Sequence, residues 1–177
     1  FGEEGGDILE GGAGSDTLDG GAGVDLASYA GSGSAVDVRL NNGTATGGDA
    51  SGDVLSNIEG LIGSDFADIL KGDGGANLLN GGAGDDNLSA GGGDDTLEGG
   101  AGADTLNGGG GFDVASYAGS SAAVDVRLNN GTATGGHASG DVLSNIEGLI
   151  GSDFADILKG DSGSNLLDGG AGDDAPG

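Results

Sequence analysis

Large aliphatic residues recur every nine positions through the middle of the chain: Leu70, Leu79, Leu88, Leu97 and Leu106, with Ala115 next in line. Leu88, Leu97 and Leu106 are flanked by polar residues, as in Thr96-Leu97-Glu98, so one side chain of three turns inward. That alternation predicts a minimal half-buried β-strand. The six residues before each strand are mostly glycine and aspartate, as in Gly81-Gly82-Ala83-Gly84-Asp85-Asp86. They suit neither a helix nor a flat strand, because glycine supplies positive φ and close backbone approach. Each nonapeptide therefore reads as a turn plus a strand, half of an 18-residue coil in a stacked solenoid.

The period holds over GGAGDDNLS, AGGGDDTLE and GGAGADTLN (residues 81–107) and in GGAGSDTLD (11–19). The opening unit, 2–10, keeps Asp7 and Leu9, and unit 20–28 keeps Asp25 but places Ala27 inward. An insertion, 29–62, precedes six nonapeptides, 63–116. A second insertion, 117–150, matches the first almost residue for residue, and repeats resume over 151–177. Residues 25–86 recur at 113–174, so the chain holds about two copies of an 88-residue module, 1–88 and 89–177, in one continuous solenoid.

Within the insertion, residues 35–40 alternate, which puts Val36, Val38 and Leu40 on one face of a strand. Asn41-Asn42-Gly43 predicts a turn and Thr44-Ala45-Thr46 a returning strand. Leu61 lies nine residues before Leu70, so the insertion is expected to form wider coils of the same solenoid. Tyr29 and Tyr117 are expected to pack where the inward position shrinks to alanine.

Stacking every second turn places Asp86 over Asp104 and Asp95 over Asp113. Carboxylates that close repel one another unless a cation lies between them. Ca²⁺ suits such a gap because it takes six to eight oxygens from carboxylates and carbonyls. The candidate ligands are Asp16, Asp68, Asp86, Asp95, Asp104, Asp113 and Asp156, with Asp7, Asp25 and Asp174 in degenerate or terminal units. Asn77 and Asn165 offer an amide oxygen with less charge, which predicts weaker or empty sites. The fifth-position acids Asp85, Asp94 and Asp173 are expected to face solvent. Asp53, Glu59 and Asp65, with their copies Asp141, Glu147 and Asp153, are candidates for closing extra sites beside the insertions. His137, the sole histidine, replaces Asp49 of the first copy in a polar loop and is not read as a ligand. Arg39 and Arg127 are expected to pair with Asp37 and Asp125 or nearby acids.

The recurring G-G-x-G-x-D-x-U-x unit resembles the RTX, or haemolysin-type calcium-binding, repeat family. The stretch DVLSNIEGLIGSDFAD, 53–68, looks like the lead-in to many such repeat regions. The resemblance implies an all-β fold, a parallel β-roll or β-helix solenoid, that holds several Ca²⁺ ions. It also implies that the carbonyls of Gly12, Gly14, Gly82, Gly84, Gly91, Gly93, Gly100 and Gly102 complete the ligand shells. Type I secretion from a Gram-negative bacterium, with folding outside the cell, is the export route it implies.

Composition narrows the rest. Four Lys and Arg against 30 acids leave a net charge of −26, which makes nucleic acid a poor partner. Aromatics at 3% are too few for an ordinary globular core, so order is expected to depend on metal. Glycine is abundant at 46 residues, but it follows no three-residue period and the chain has only one proline, Pro176, which excludes collagen. There is no cysteine framework, no apolar run long enough for a membrane span and no cleavable signal peptide. A start at Phe1 and a final broken repeat suggest both ends are cuts in a longer polypeptide.

No nucleophile–base pair, zinc spacing or phosphate loop stands out, so the chain is not read as an enzyme. The leading expectation is a calcium-folded structural segment of a long tandem array (an adhesin, surface-layer or filament protein) with end-to-end assembly. The alternative is the accessory domain of a type I-secreted protease, lipase or polysaccharide-modifying enzyme.

Overall fold

The computed structural model describes residues 1–176. Its strands are short and follow the nine-residue period. The first copy opens with β1 (Ile8–Leu9), β2 (Thr17–Asp19) and β3 (Leu26–Ser28). The first insertion contributes β4 (Asp37–Arg39), β5 (Thr44–Thr46), β6 (Val54–Ser56) and β7 (Gly60–Ile62). The uninterrupted repeats form β8 (Ile69–Lys71), β9 (Leu78–Ala83), β10 (Asn87–Gly92), β11 (Thr96–Ala101), β12 (Thr105–Gly110) and β13 (Val114–Ser116). The second insertion repeats the first as β14 (Asp125–Arg127), β15 (Thr132–Thr134), β16 (Val142–Ser144) and β17 (Gly148–Ile150). The chain closes with β18 (Ile157–Lys159), β19 (Leu166–Asp168) and β20 (Ala175–Pro176).

Successive nonapeptides alternate between two walls. One wall is a single eight-stranded sheet, β1-β3-β7-β9-β11-β13-β17-β19, that runs through both copies. The facing wall is divided into β2-β6, β5-β4-β8-β10-β12-β16 and β15-β14-β18-β20. Pairing between coils is parallel, with Leu88 beside Leu70 and Leu106, and Leu97 beside Leu79 and Ala115. The fold is thus the parallel β-roll solenoid expected from the repeat. Its core is two facing rows of buried aliphatics, Leu70, Leu88 and Leu106 on one wall and Leu61, Leu79, Leu97 and Leu149 on the other, all fully buried. Burying a leucine contributes about 1.5–3 kcal/mol, and each of these seven strands does so once.

Two features differ from the sequence expectation. Strands β9 to β12 are six residues long rather than three, because pairing resumes at the second glycine: Gly82 pairs with Gly100 and Gly91 with Gly109. Stacked turns bend identically, so the ladder survives the bend. The insertions also do more than widen a coil. In the first, β4 and β5 form an antiparallel hairpin, while β6 returns to pair with β2 and β7 fits between β3 and β9. The hairpin interrupts the facing wall and leaves the eight-stranded wall continuous. Tyr29 and Tyr117 fill the junctions beside Ala27 and Ala115, and all four are buried.

Candidate metal centre

The sixth residue of each nonapeptide ends its turn just before the strand, so parallel stacking brings the aspartates into columns. The backbone N–H of each donates to the carboxylate one coil further along. Asp68 donates to Asp86 Oδ1 at 2.8 Å, Asp86 to Asp104 Oδ1 at 2.9 Å and Asp104 to Asp141 Oδ1 at 2.9 Å. On the other wall, Asn77 donates to Asp95 Oδ1 at 2.7 Å, Asp95 to Asp113 Oδ1 at 2.9 Å and Asp113 to Glu147 Oε2 at 3.0 Å. Near the start, Asp7 donates to Asp25 Oδ1 and Asp16 to Asp53 Oδ1, both at 2.8 Å, and Asp25 to Glu59 Oε2 at 2.9 Å. Asp156 donates to Asp174 Oδ1 at 3.0 Å.

One oxygen of Asp25, Asp86, Asp95, Asp104 and Asp113 is therefore used by the protein. The other is not. The Oδ2 atoms of Asp16, Asp25, Asp86, Asp95, Asp104 and Asp113 are buried without a hydrogen-bond partner. A buried carboxylate left unpaired is costly. No protein cation answers them: the ion pairs among the described residues are Arg39–Asp37 and Arg127–Asp125, both at 2.6 Å.

The first residue of the nonapeptide shapes the space beside that oxygen. A Cβ on Gly81 would strike both Asp86 Oδ2 and the carbonyl oxygen of Gly99 in the next coil. A Cβ on Gly108 would strike Asp113 and the Asn145 carbonyl, and one on Gly20 would strike Asp25 and the Asn57 carbonyl. Asn57 and Asn145 are the non-glycine residues with positive φ among those described, each at 52°. Asparagine tolerates that left-handed conformation better than most residues. At Gly20, Gly81 and Gly108 a carboxylate oxygen and a carbonyl oxygen thus converge beside a position without a side chain, whereas Ala90 holds the same place before Asp95. The sequence points to these first-position carbonyls only through the first glycine itself. The expected carbonyls of Gly82 and Gly84 instead abut Gly100 and Gly102 of the next coil, and that of Gly91 abuts Gly109 and that of Gly93 abuts Gly111. Around Gly12 there is open space.

Several predicted acids are placed differently. Asp68 Oδ2 accepts from the Ser64 N–H at 2.5 Å and its hydroxyl at 3.0 Å, and Asp156 from Ser152 likewise. Asn77 Oδ1 accepts from the Asp73 N–H at 2.8 Å, while its amide donates to the Glu59 carbonyl at 3.1 Å. Asn165 does the same with Asp161 and Glu147. Asp53 and Asp141 enter the columns from the insertions, and their Oδ2 atoms accept from Tyr29 and Tyr117 at 3.1 and 3.0 Å. Asp7 is half-buried, and Asp174 is exposed. Asp85 and Asp94 are exposed yet accept from the Ala103 and Phe112 N–H groups one coil on. Asp65, Asp153 and Asp173 are exposed. His137 sits in a 3-10 turn, Gly136–Ala138, that packs against β11.

Burial pushes the Asp86 carboxyl up to about 7 and that of Asp95 up to about 6, against the hydrogen bonds from the preceding amides and aided by neighbouring acids. Asp104 and Asp113 are raised for the same first reason. Asp141 is pushed up to about 6 by burial, with the Asp104 charge adding. Tyr29 and Tyr117 are raised by burial and then by the adjacent Asp53 and Asp141 charges.

No cluster of three or more His, Cys, Asp or Glu side chains with metal-holding geometry occurs among the described residues. A site here must mix one or two carboxylates with backbone carbonyls. That oxygen-only set, with orphaned anionic atoms, fits a hard cation such as Ca²⁺.

A family model described as the RTX calcium-binding nonapeptide repeat matches the chain four times, over residues 1–28, 62–97, 81–115 and 149–175. Those matches span well over half the chain. No curated protein matches it. No helix among the described residues is long and apolar enough to cross a membrane.

Proposed function

Because the chain belongs to the RTX calcium-binding nonapeptide repeat family, we propose that it is a calcium-folded structural segment of a secreted or cell-surface bacterial protein. The family is a calcium-binding repeat rather than a catalytic one. The observation that carries the reading is the register of six buried, unpartnered Oδ2 atoms on both walls of one solenoid. The chain's own residues hold the strands together, and an amide of the preceding coil donates to one oxygen of Asp25, Asp86, Asp95, Asp104 and Asp113. They leave the second oxygen for Asp16, Asp25, Asp86, Asp95, Asp104 and Asp113 to offer to a cation. Bound Ca²⁺ supplies the positive charge that relieves repulsion along the columns. Any ligand that binds only the folded form stabilises it, by about 2.7 kcal/mol at a hundredfold excess over Kd.

In low calcium the chain stays open enough for export by type I secretion, and it folds outside. Sites in extracellular modules are typically weak, at about 10⁻⁴–10⁻³ M, which suits a switch between those compartments. The 88-residue duplication favours a repeating array, such as an adhesin, surface-layer or filament protein, over a lone accessory domain.

The test is a Ca²⁺ titration followed by circular dichroism, with Mg²⁺ as control. A cooperative gain of β signal with Ca²⁺ alone supports the reading. The same signal in excess chelator would refute it.

A further inference from the structure

Outside the terminal units of Asp7 and Asp174, the sixth-position side chains fall into two kinds, and the second residue of the nonapeptide separates them. Where that residue is Gly12, Gly21, Gly82, Gly91, Gly100 or Gly109, its φ lies between 78° and 115°. In each of those units the sixth-position aspartate keeps an unpartnered Oδ2. Where it is Ser64, Asp73, Ser152 or Asp161, φ is not positive, and its N–H donates to the sixth-position side chain at 2.5 to 2.9 Å.

The physical cause is local. A residue with a Cβ avoids the left-handed region that glycine enters freely. The turn then takes another path, and its second N–H points at the sixth-position oxygen. A donor hydrogen aimed there satisfies the oxygen and repels a cation from the same space. The serine hydroxyls of Ser64 and Ser152 add a second donor, and Asn77 and Asn165 add amide donors toward the Glu59 and Glu147 carbonyls.

Stack order groups the two kinds. Asp53, closed by the Tyr29 hydroxyl, lies with Asp68 and Asn77 at the first insertion. Asp141, Asp156 and Asn165 lie together at the second. Asp86, Asp95, Asp104 and Asp113 fall between them.

We infer that the second residue of each nonapeptide decides whether its turn takes Ca²⁺, and that the turns ending at Asp68, Asn77, Asp156 and Asn165 are closed by protein donors instead. Each insertion then lies in a metal-free block that alternates with a metal-holding block. This inference rests on the calcium reading above.

The test counts bound Ca²⁺ per chain by equilibrium dialysis of the whole protein. Asp86→Asn with Asp104→Asn binds fewer ions than wild type, whereas Asp68→Asn with Asp156→Asn binds as many. A second variant guards against misfolding: Ser64→Gly with Ser152→Gly frees both turns and binds more ions than wild type. Equal losses in the two Asp→Asn pairs, or no gain in the glycine variant, would overturn the inference. A wild-type chain that binds no Ca²⁺ would instead sink the calcium reading itself.

Discussion

The amide of Asp86 donates to Oδ1 of Asp104 at 2.9 Å, while Oδ2 of both residues has no partner. One carboxylate therefore has two separable tasks: accepting a backbone hydrogen bond and presenting charge. Asp104→Asn keeps an acceptor and removes the charge. We expect it to raise the Ca²⁺ midpoint of folding and to lower the calcium-saturated urea midpoint only by the stabilisation that the lost ion supplied. Asp104→Ala also strands the Asp86 N–H, which costs a further ~1–3 kcal/mol. Paired urea titrations in saturating Ca²⁺ separate the two effects, and equal behaviour of both variants would contradict this division of roles.

Gly81 lacks a Cβ where Asp86 Oδ2 and the Gly99 carbonyl converge. Gly81→Ala should fill that space and weaken calcium binding. Gly74→Ala meets nothing within 4 Å and has no positive φ, so it serves as the neutral control. Terbium luminescence, with Tb³⁺ in place of Ca²⁺, reads the difference directly.

Tyr117 is 1% exposed, and its hydroxyl donates to Asp141 Oδ2 at 3.0 Å. Tyr117→Phe leaves that oxygen buried without a donor. The expected loss is about 1–3 kcal/mol, seen as a lower urea midpoint in saturating calcium. An unchanged midpoint would mean that water reaches Asp141.

The raised carboxyls fix the direction of the pH response. Asp86 titrates near 7 in the fold, and Asp95 and Asp141 near 6, all above their ordinary range, because burial disfavours the charged form. A group whose folded value is raised stabilises the fold at low pH, and that contribution is lost as pH rises through the folded value. In chelator, stability should therefore increase as pH falls from about 7 toward 4. Protons also compete with the metal for the same oxygens, so the Ca²⁺ midpoint should rise over that range. Circular dichroism at stepped pH in chelator, and Ca²⁺ titrations of the same signal at each pH, check both arms.

Much of this architecture was legible because it is written locally. The inward leucines and the paired glycines repeat at nine residues, and parallel stacking at an offset of 18 follows from them, as in the Asp68 to Asp86 bond. The Arg39–Asp37 pair sits two residues apart on one strand and was equally readable. The closing of Asp68 by Ser64 spans four residues and carried a local signal, serine in place of the second glycine. That signal is a single departure from the repeat, and its effect on the turn's path depends on backbone geometry that periodicity does not carry.

By itself the sequence determined the coil, the inward column and the acidic columns, since each depends on residues within a nonapeptide and its repetition. Only the tertiary structure decided how the insertions join. Asp16 meets Asp53 across 37 residues, Asp25 meets Glu59 across 34 and Tyr29 reaches Asp53 across 24. Those pairings depend on β6 folding back onto β2 while the hairpin stands aside. No periodicity encodes them, because the competing positions differ in distant packing rather than in local backbone preference.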